Sequence, residues 1–187
     1  MLELHPPINE RKIFNNFLMF EKTQIAKINL RGNINNKNFT DKIEKTLGII
    51  LPTVVGNIVF GDEISIITTG PNEWLIVSNY TIEKDNNNYE LENILYEGIS
   101  KKSLGAVTNV TDQFCIFSLN GLNVFEVLSK SSPFDFDKLS NNCSAQTLLN
   151  NIDVTIIKKS SENVDLFVRR SFSEHLWLWL NDSARFL

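Results

Sequence analysis

The feature that most constrains how this chain folds is a pattern of elements that occurs twice. Gln24-Ile25-Ala26-Lys27-Ile28-Asn29-Leu30-Arg31-Gly32 alternates apolar and polar residues and stops at glycine, as a half-buried strand does. Phe39, Ile43 and Leu47 then recur every four residues and give one apolar helix face. Asp41 and Glu44 suit the start of that helix, and Gly48 stands where a left-handed C-cap belongs. Leu51-Pro52 closes the unit. Glu63 to Thr68 and Glu73 to Val77 read as two further strands around the turn Gly70-Pro71-Asn72. Asp85 to Asn88 is a solvated linker, and Leu91, Leu95 and Ile99 mark a second helix.

The order then returns. Phe114 to Leu119 is a strand ending in Asn120-Gly121, and Val124, Val127 and Leu128 give a helix face. Val154 to Ile157 and Asp165 to Val168 predict a hairpin, and a last helix begins near Ser171 or Ser173 and runs through Trp179. Gly32 and Gly121 lie 89 positions apart, and Val77 and Val168 lie 91 apart. Two marks with nearly equal offsets predict a duplicated βαββα unit, with repeats at about 23–103 and 104–187. Such units form antiparallel sheets with helices on one face: an α+β, ferredoxin-like architecture.

Two segments are more apolar than this plan requires. Residues 1–22 read as an N-terminal docking arm ahead of the domain at 23–187, stiffened by Pro6-Pro7 and carrying Phe17 and Phe20 as candidate interface residues. The last helix contains Leu176-Trp177-Leu178-Trp179-Leu180, apolar all round, where a surface helix keeps a polar face. With Phe172, Leu176, Trp179 and Leu180 assigned to the domain's own core, Trp177 and Leu178 are left to meet a partner or to be buried within the chain. Aromatic residues are enriched in the cores of interfaces.

The 187 residues can bury a sizeable core, and a net charge of −4 with scattered Lys and Arg argues against nucleic-acid binding. No apolar run reaches membrane-spanning length, and Met1 to Pro7 lacks the basic-then-apolar order of a secretory signal. Cys115 and Cys143 are too few for a disulfide framework and lack metal-site spacing. A reduced cytoplasmic setting is expected.

No residue is nominated for catalysis, cofactor binding or metal binding. His5 sits in a proline-rich tail, and His175 lies in the first turn of the last helix without a metal-binding companion motif. Cys143 falls in a polar stretch that can expose a thiol, but neither a base nor an oxyanion site accompanies it. Cys115, inside an apolar strand, reads as a small core residue. Asp62-Glu63, Asp135 and Asp137 read as loop carboxylates, and no phosphate-binding glycine motif occurs.

Taken in order, Leu30-Arg31-Gly32, Leu51-Pro52, Gly70-Pro71-Asn72-Glu73-Trp74-Leu75, Val110-Thr111-Asp112, Ser118-Leu119-Asn120-Gly121, Pro133-Phe134-Asp135-Phe136, Cys143 to Thr147 and Val168 to Phe172 before Leu176-Trp177 resemble the gamma subunit of heterotetrameric sarcosine oxidase. The resemblance runs from about residue 24 to 180. It departs at Asn72, where Asp is expected, and at Gln113-Phe114, where small polar residues are commoner. It implies the duplicated fold of the folate-binding aminomethyltransferase T-protein. It also implies a complex that oxidises the N-methyl group of sarcosine, or of a related amino acid, to glycine, hydrogen peroxide and a one-carbon unit for tetrahydrofolate. FAD, FMN, NAD and the folate pocket would lie on alpha and beta subunits and zinc on a delta subunit, with no cofactor on this chain. An alternative is a free-standing folate-binding or aminomethyltransferase-like protein, for which Asp112 and Glu73 are the nearest carboxylates to hold a pterin. The Lys-Gly-Cys motif of the iron–sulfur maintenance proteins of this fold is not found. A hydrolase using Cys143 is the remaining reading.

Overall fold

The computed structural model describes residues 6–81 and 89–187. The expected linker at Asp85 to Asn88 and the expected tail position of His5 lie outside the described residues. The chain forms two compact units, one comprising residues 25–111 and the other comprising the residues up to Gln24 together with 112–187.

The 25–111 unit contains β3 (Ile25–Gly32), α1 (Lys37–Leu47), β4 (Ile58–Phe60), β5 (Ile64–Gly70), β6 (Glu73–Thr81), α2 (Tyr89–Gly98) and β7 (Gly105–Asn109). Its sheet is antiparallel in the order β4-β5-β6-β3-β7. Phe39 and Ile43 of α1 and Leu95 of α2 are fully buried against Ile28, Leu30, Ile66, Trp74 and Ile76, so both helices cover one face. Asn36, rather than an acidic residue, caps α1 through its side chain, and Asp41 and Glu44 lie beyond the first turn. Gly48 closes the helix in the left-handed conformation, with φ of 67°.

The other unit contains β8 (Phe114–Asn120), α3 (Val124–Ser129), β9 (Cys143–Leu149), β10 (Ile152–Ser160), β11 (Asn163–Arg169) and α4 (Ser173–Ala184). To these the chain's beginning adds β1 (Arg11–Phe14) and β2 (Phe17–Glu21). Its order is β1-β2-β8-β11-β10-β9, again antiparallel. Val124, Val127, Leu128, Leu176, Trp177 and Leu180 pack on the face that carries Phe117, Leu119, Val164, Leu166 and Val168.

The duplication is therefore visible in the element order, with one strand more between the two helices of each repeat than the sequence pattern predicts. These extra strands, β4 and β9, lie at sheet edges. The repeats also exchange a strand. β2 precedes β3 in sequence but pairs with β8, while β7 precedes β8 but pairs with β3. Each sheet is completed by the strand that leads into the other repeat, which is why the compact units do not coincide with the sequence repeats.

This exchange corrects the reading of residues 1–22 as a docking arm. Residues 11–21 form a hairpin built into the chain's own sheet, turning at Asn15-Asn16 with Asn16 at φ of 52°, a conformation asparagine tolerates. The turn meets Gly121, where any Cβ would strike the Asn16 carbonyl. The apolar character of the segment serves the chain's own core, since Phe17 is 2% and Met19 0% exposed.

Candidate functional site

The interface candidates separate clearly. Phe17 is buried in the core and Phe20 is half-buried beside Ser118 across the strand pair. Trp177 is 3% exposed and packs edge-to-face on Phe117, with ring centroids 5.3 Å apart, so it belongs to the chain's own core. Leu178, the next residue, is 59% exposed, and Phe172, expected in the core, is 49% exposed. The cause is helix phase: α4 turns Leu176, Trp177, Leu180 and Ala184 inward, keeping Leu176 and Leu180 of the expected stripe but adding Trp177, while Trp179 packs on the core only partly buried.

A second group of exposed apolar residues escapes the sequence reading: Ile50, Val54, Val55 and Phe60, each at least half exposed. Their loop is firmly anchored. The Pro52 carbonyl accepts from Trp74 Nε1 at 2.8 Å and from Thr68 Oγ1 at 3.0 Å, and the Gly56 and Thr68 amides bond to the Thr68 and Asn57 carbonyls. Leu51 is buried between them. The signal in the sequence is Val54-Val55 directly before Gly56, a pair of β-branched residues in a loop.

The carboxylates nominated for a pterin are already engaged. Gln24 Nε2 donates to Asp112 Oδ1 at 2.5 Å, and Glu73 Oε1 accepts from Asn29 Nδ2 at 2.6 Å and Arg31 Nη2 at 3.0 Å. Asn72 fills the role expected of aspartate, because its Oδ1 accepts from the Ile34 amide at 3.0 Å. His175 is exposed, with Nε2 3.1 Å from Asn150 Nδ2. Cys143 opens the edge strand β9 rather than a loop and is half-buried against the core. Burial, then the Glu21 charge, raises the Cys115 thiol to about 11, against the weaker effect of a Ser173 hydrogen bond, so it is inert at neutral pH.

One charged cluster was not anticipated. Asp165 lies on the sheet face away from α3 and α4, and its Oδ2 receives Lys22 Nζ at 2.7 Å and Lys159 Nζ at 2.6 Å. The Asp165 side chain is 7% exposed, against 29% for Lys22 and 35% for Lys159, and its Oδ1 is buried without a hydrogen-bond partner. Burial pushes Lys22 below the ordinary lysine range in spite of Asp165. Burial opposes the charge on Lys159 too, but attraction to Asp165 outweighs it and holds Lys159 above that range. The clue in the sequence is an aspartate inside Val164-Asp165-Leu166-Phe167-Val168, a strand otherwise apolar on both faces.

No group of three or more His, Cys, Asp or Glu among the described residues is placed to hold a metal ion, and no helix among them is long and apolar enough to cross a membrane. No curated protein sequence matches the chain. Among solved structures, a chain of the heterotetrameric sarcosine oxidase from Corynebacterium sp. U-96, in complex with pyrrole 2-carboxylate, aligns with a TM-score of 0.79 at 23% identity. The alignment covers 90% of this chain and 84% of that one. A structure of aspartokinase alpha and beta subunits aligns with a TM-score of 0.50 at 14% identity, covering 91% and 98%, a likeness of fold. The sarcosine oxidase, gamma subunit family model matches residues 31–185, from the end of β3 to the end of α4, and the chain belongs to that family.

Proposed function

We propose that the chain is a non-catalytic subunit of a heterotetrameric, sarcosine-oxidase-type flavoenzyme, acting in the assembly and stability of the complex. The family match over residues 31–185 carries this reading. It is supported by the engagement of Asp112 and Glu73, the carboxylates considered for a pterin, in hydrogen bonds within the chain. In this reading the complex demethylates sarcosine or a related N-methyl amino acid to glycine, hydrogen peroxide and a one-carbon unit passed to tetrahydrofolate. FAD, FMN, NAD, tetrahydrofolate and zinc belong to alpha, beta and delta partners in the cytoplasm. Exposed apolar residues such as Leu178 are the kind of surface that a stable complex covers.

The test is co-expression with candidate alpha, beta and delta subunits, followed by isolation of the flavin-containing complex. The chain is expected to copurify in fixed stoichiometry, and its omission should lower the yield of assembled oxidase. A chain that remains monomeric, with flavoenzyme assembly unchanged by its absence, would end the proposal.

A further inference from the structure

The cluster of Lys22, Asp165 and Lys159 has one positive charge more than it can neutralise itself. We propose that it is a binding site for a small monocarboxylate, held by the two ammonium groups.

Each ammonium carries three N–H donors. Among the described residues, each directs one at Asp165 Oδ2 and has no second hydrogen-bonded acceptor. Sharing a single oxygen brings the two nitrogens close together, an arrangement that repulsion between cations opposes and a further anion would relieve. A carboxylate can offer one oxygen to each ammonium while Asp165 keeps its own contact. A monoanion also matches the single excess charge.

The backbone fixes this geometry in advance. Asp165 sits in the middle of β11, paired with Ser118 on one side and Ile157 on the other. The Lys22 amide is bonded to the Ile116 carbonyl at 2.8 Å. Lys159 stands at the irregularity in β10 where the register shifts between Lys158 and Ser160, and such bulges re-aim a side chain out of the regular pleat. The open side belongs to the lysines, since they keep about a third of their surface while Asp165 Oδ1 is sealed. An anion therefore approaches the ammonium groups directly, and binding requires little reordering. This inference stands apart from the subunit reading, and either can fail alone.

The full chain would be titrated with sodium acetate, and separately with sodium chloride at equal ionic strength, while its backbone amide resonances are followed by NMR. Saturable shifts confined to residues 116–118, 157–159 and 163–165, with acetate alone, are expected. In thermal melts, tenfold excess over the dissociation constant should raise Tm by about 4 °C. Lys159→Met should weaken acetate binding by about tenfold through loss of a charge-assisted hydrogen bond. Lys159→Arg should retain it, and Lys138→Met, at an exposed pair with Asp135, should leave it unchanged. Equal, unsaturable shifts with both salts would reduce the effect to ionic screening and overturn the proposal. The wild-type titration decides the matter even if a variant fails to fold.

Discussion

The two units fill the same sheet position in opposite ways. Beside β3 lies β7, Gly-Ala-Val-Thr-Asn, in which no residue is fully buried. Beside β8 lies β2, Phe-Leu-Met-Phe-Glu, which sends Phe17 and Met19 into the core. β7 contributes mainly backbone hydrogen bonds and close approach: a Cβ on Gly105 would strike the Arg31 carbonyl. β2 contributes apolar area, which is the larger stabilising term. One topological slot can thus be held by main chain or by side chains, and only in the second case does the strand's own sequence show that it must be covered.

The largest expected effect tests the side-chain half of that contrast. Phe17→Ala should lower unfolding free energy by about 4 kcal/mol, whereas Val107→Ala at the half-buried centre of β7 should cost about 1 kcal/mol or less. Denaturant titration of both variants decides it, and equal losses would erase the distinction. Gly105→Ala tests the main-chain half and should cost about 2 kcal/mol, because a carbonyl oxygen cannot yield as a flexible side chain can. A smaller contrast exists within α4. Trp177→Phe should cost about 1.5 kcal/mol in the isolated chain and Leu178→Ala less than about 0.5 kcal/mol, since only the first occupies the core.

The two cysteines compare a central strand with an edge. At pH 8, iodoacetamide should modify Cys143 well before Cys115, read by peptide mass analysis. The Cys115 thiol, raised to about 11 in the folded chain, titrates earlier when unfolded. Between the unfolded value and about 11 the folded state binds more protons, so this group's contribution to stability is complete below the unfolded value and declines through that interval. Alkaline denaturation of wild type and Cys115→Ser, compared over that interval, measures it.

Much of the fold was legible in particular residues. The four-residue spacing of Phe39, Ile43 and Leu47 places α1, and the strand residues around Trp74 and Leu166 were recognised because β-branched and aromatic residues alternate with turn signals. β7 and β9 were missed because Gly-Ala-Val-Thr-Asn and Cys-Ser-Ala-Gln-Thr-Leu-Leu carry too little apolar alternation; β7 owes its order to pairing with the distant β3, and β9 to the hairpin it forms with β10. The arm was misassigned for a related reason: local pattern shows that Phe14 to Phe20 must be covered, but not by which part of the chain. Trp177 was misassigned through a shift in helix phase, which an all-apolar run leaves undetermined. The cluster at Asp165 joins residues of β10 and β11 with Lys22, just past the end of β2, so only the aspartate left a local trace.

The crossed pairing of β2 has a consequence during synthesis. This strand emerges from the ribosome more than ninety residues before β8, the strand it must join. At about 5–20 residues per second, Phe17 and Met19 wait for several seconds without their cover. A nascent or truncated chain ending before β8 therefore displays an apolar, strand-forming segment of the kind that chaperones and proteases recognise. Completion of the second half conceals it, so the exchange makes an unfinished product chemically distinguishable from a finished one.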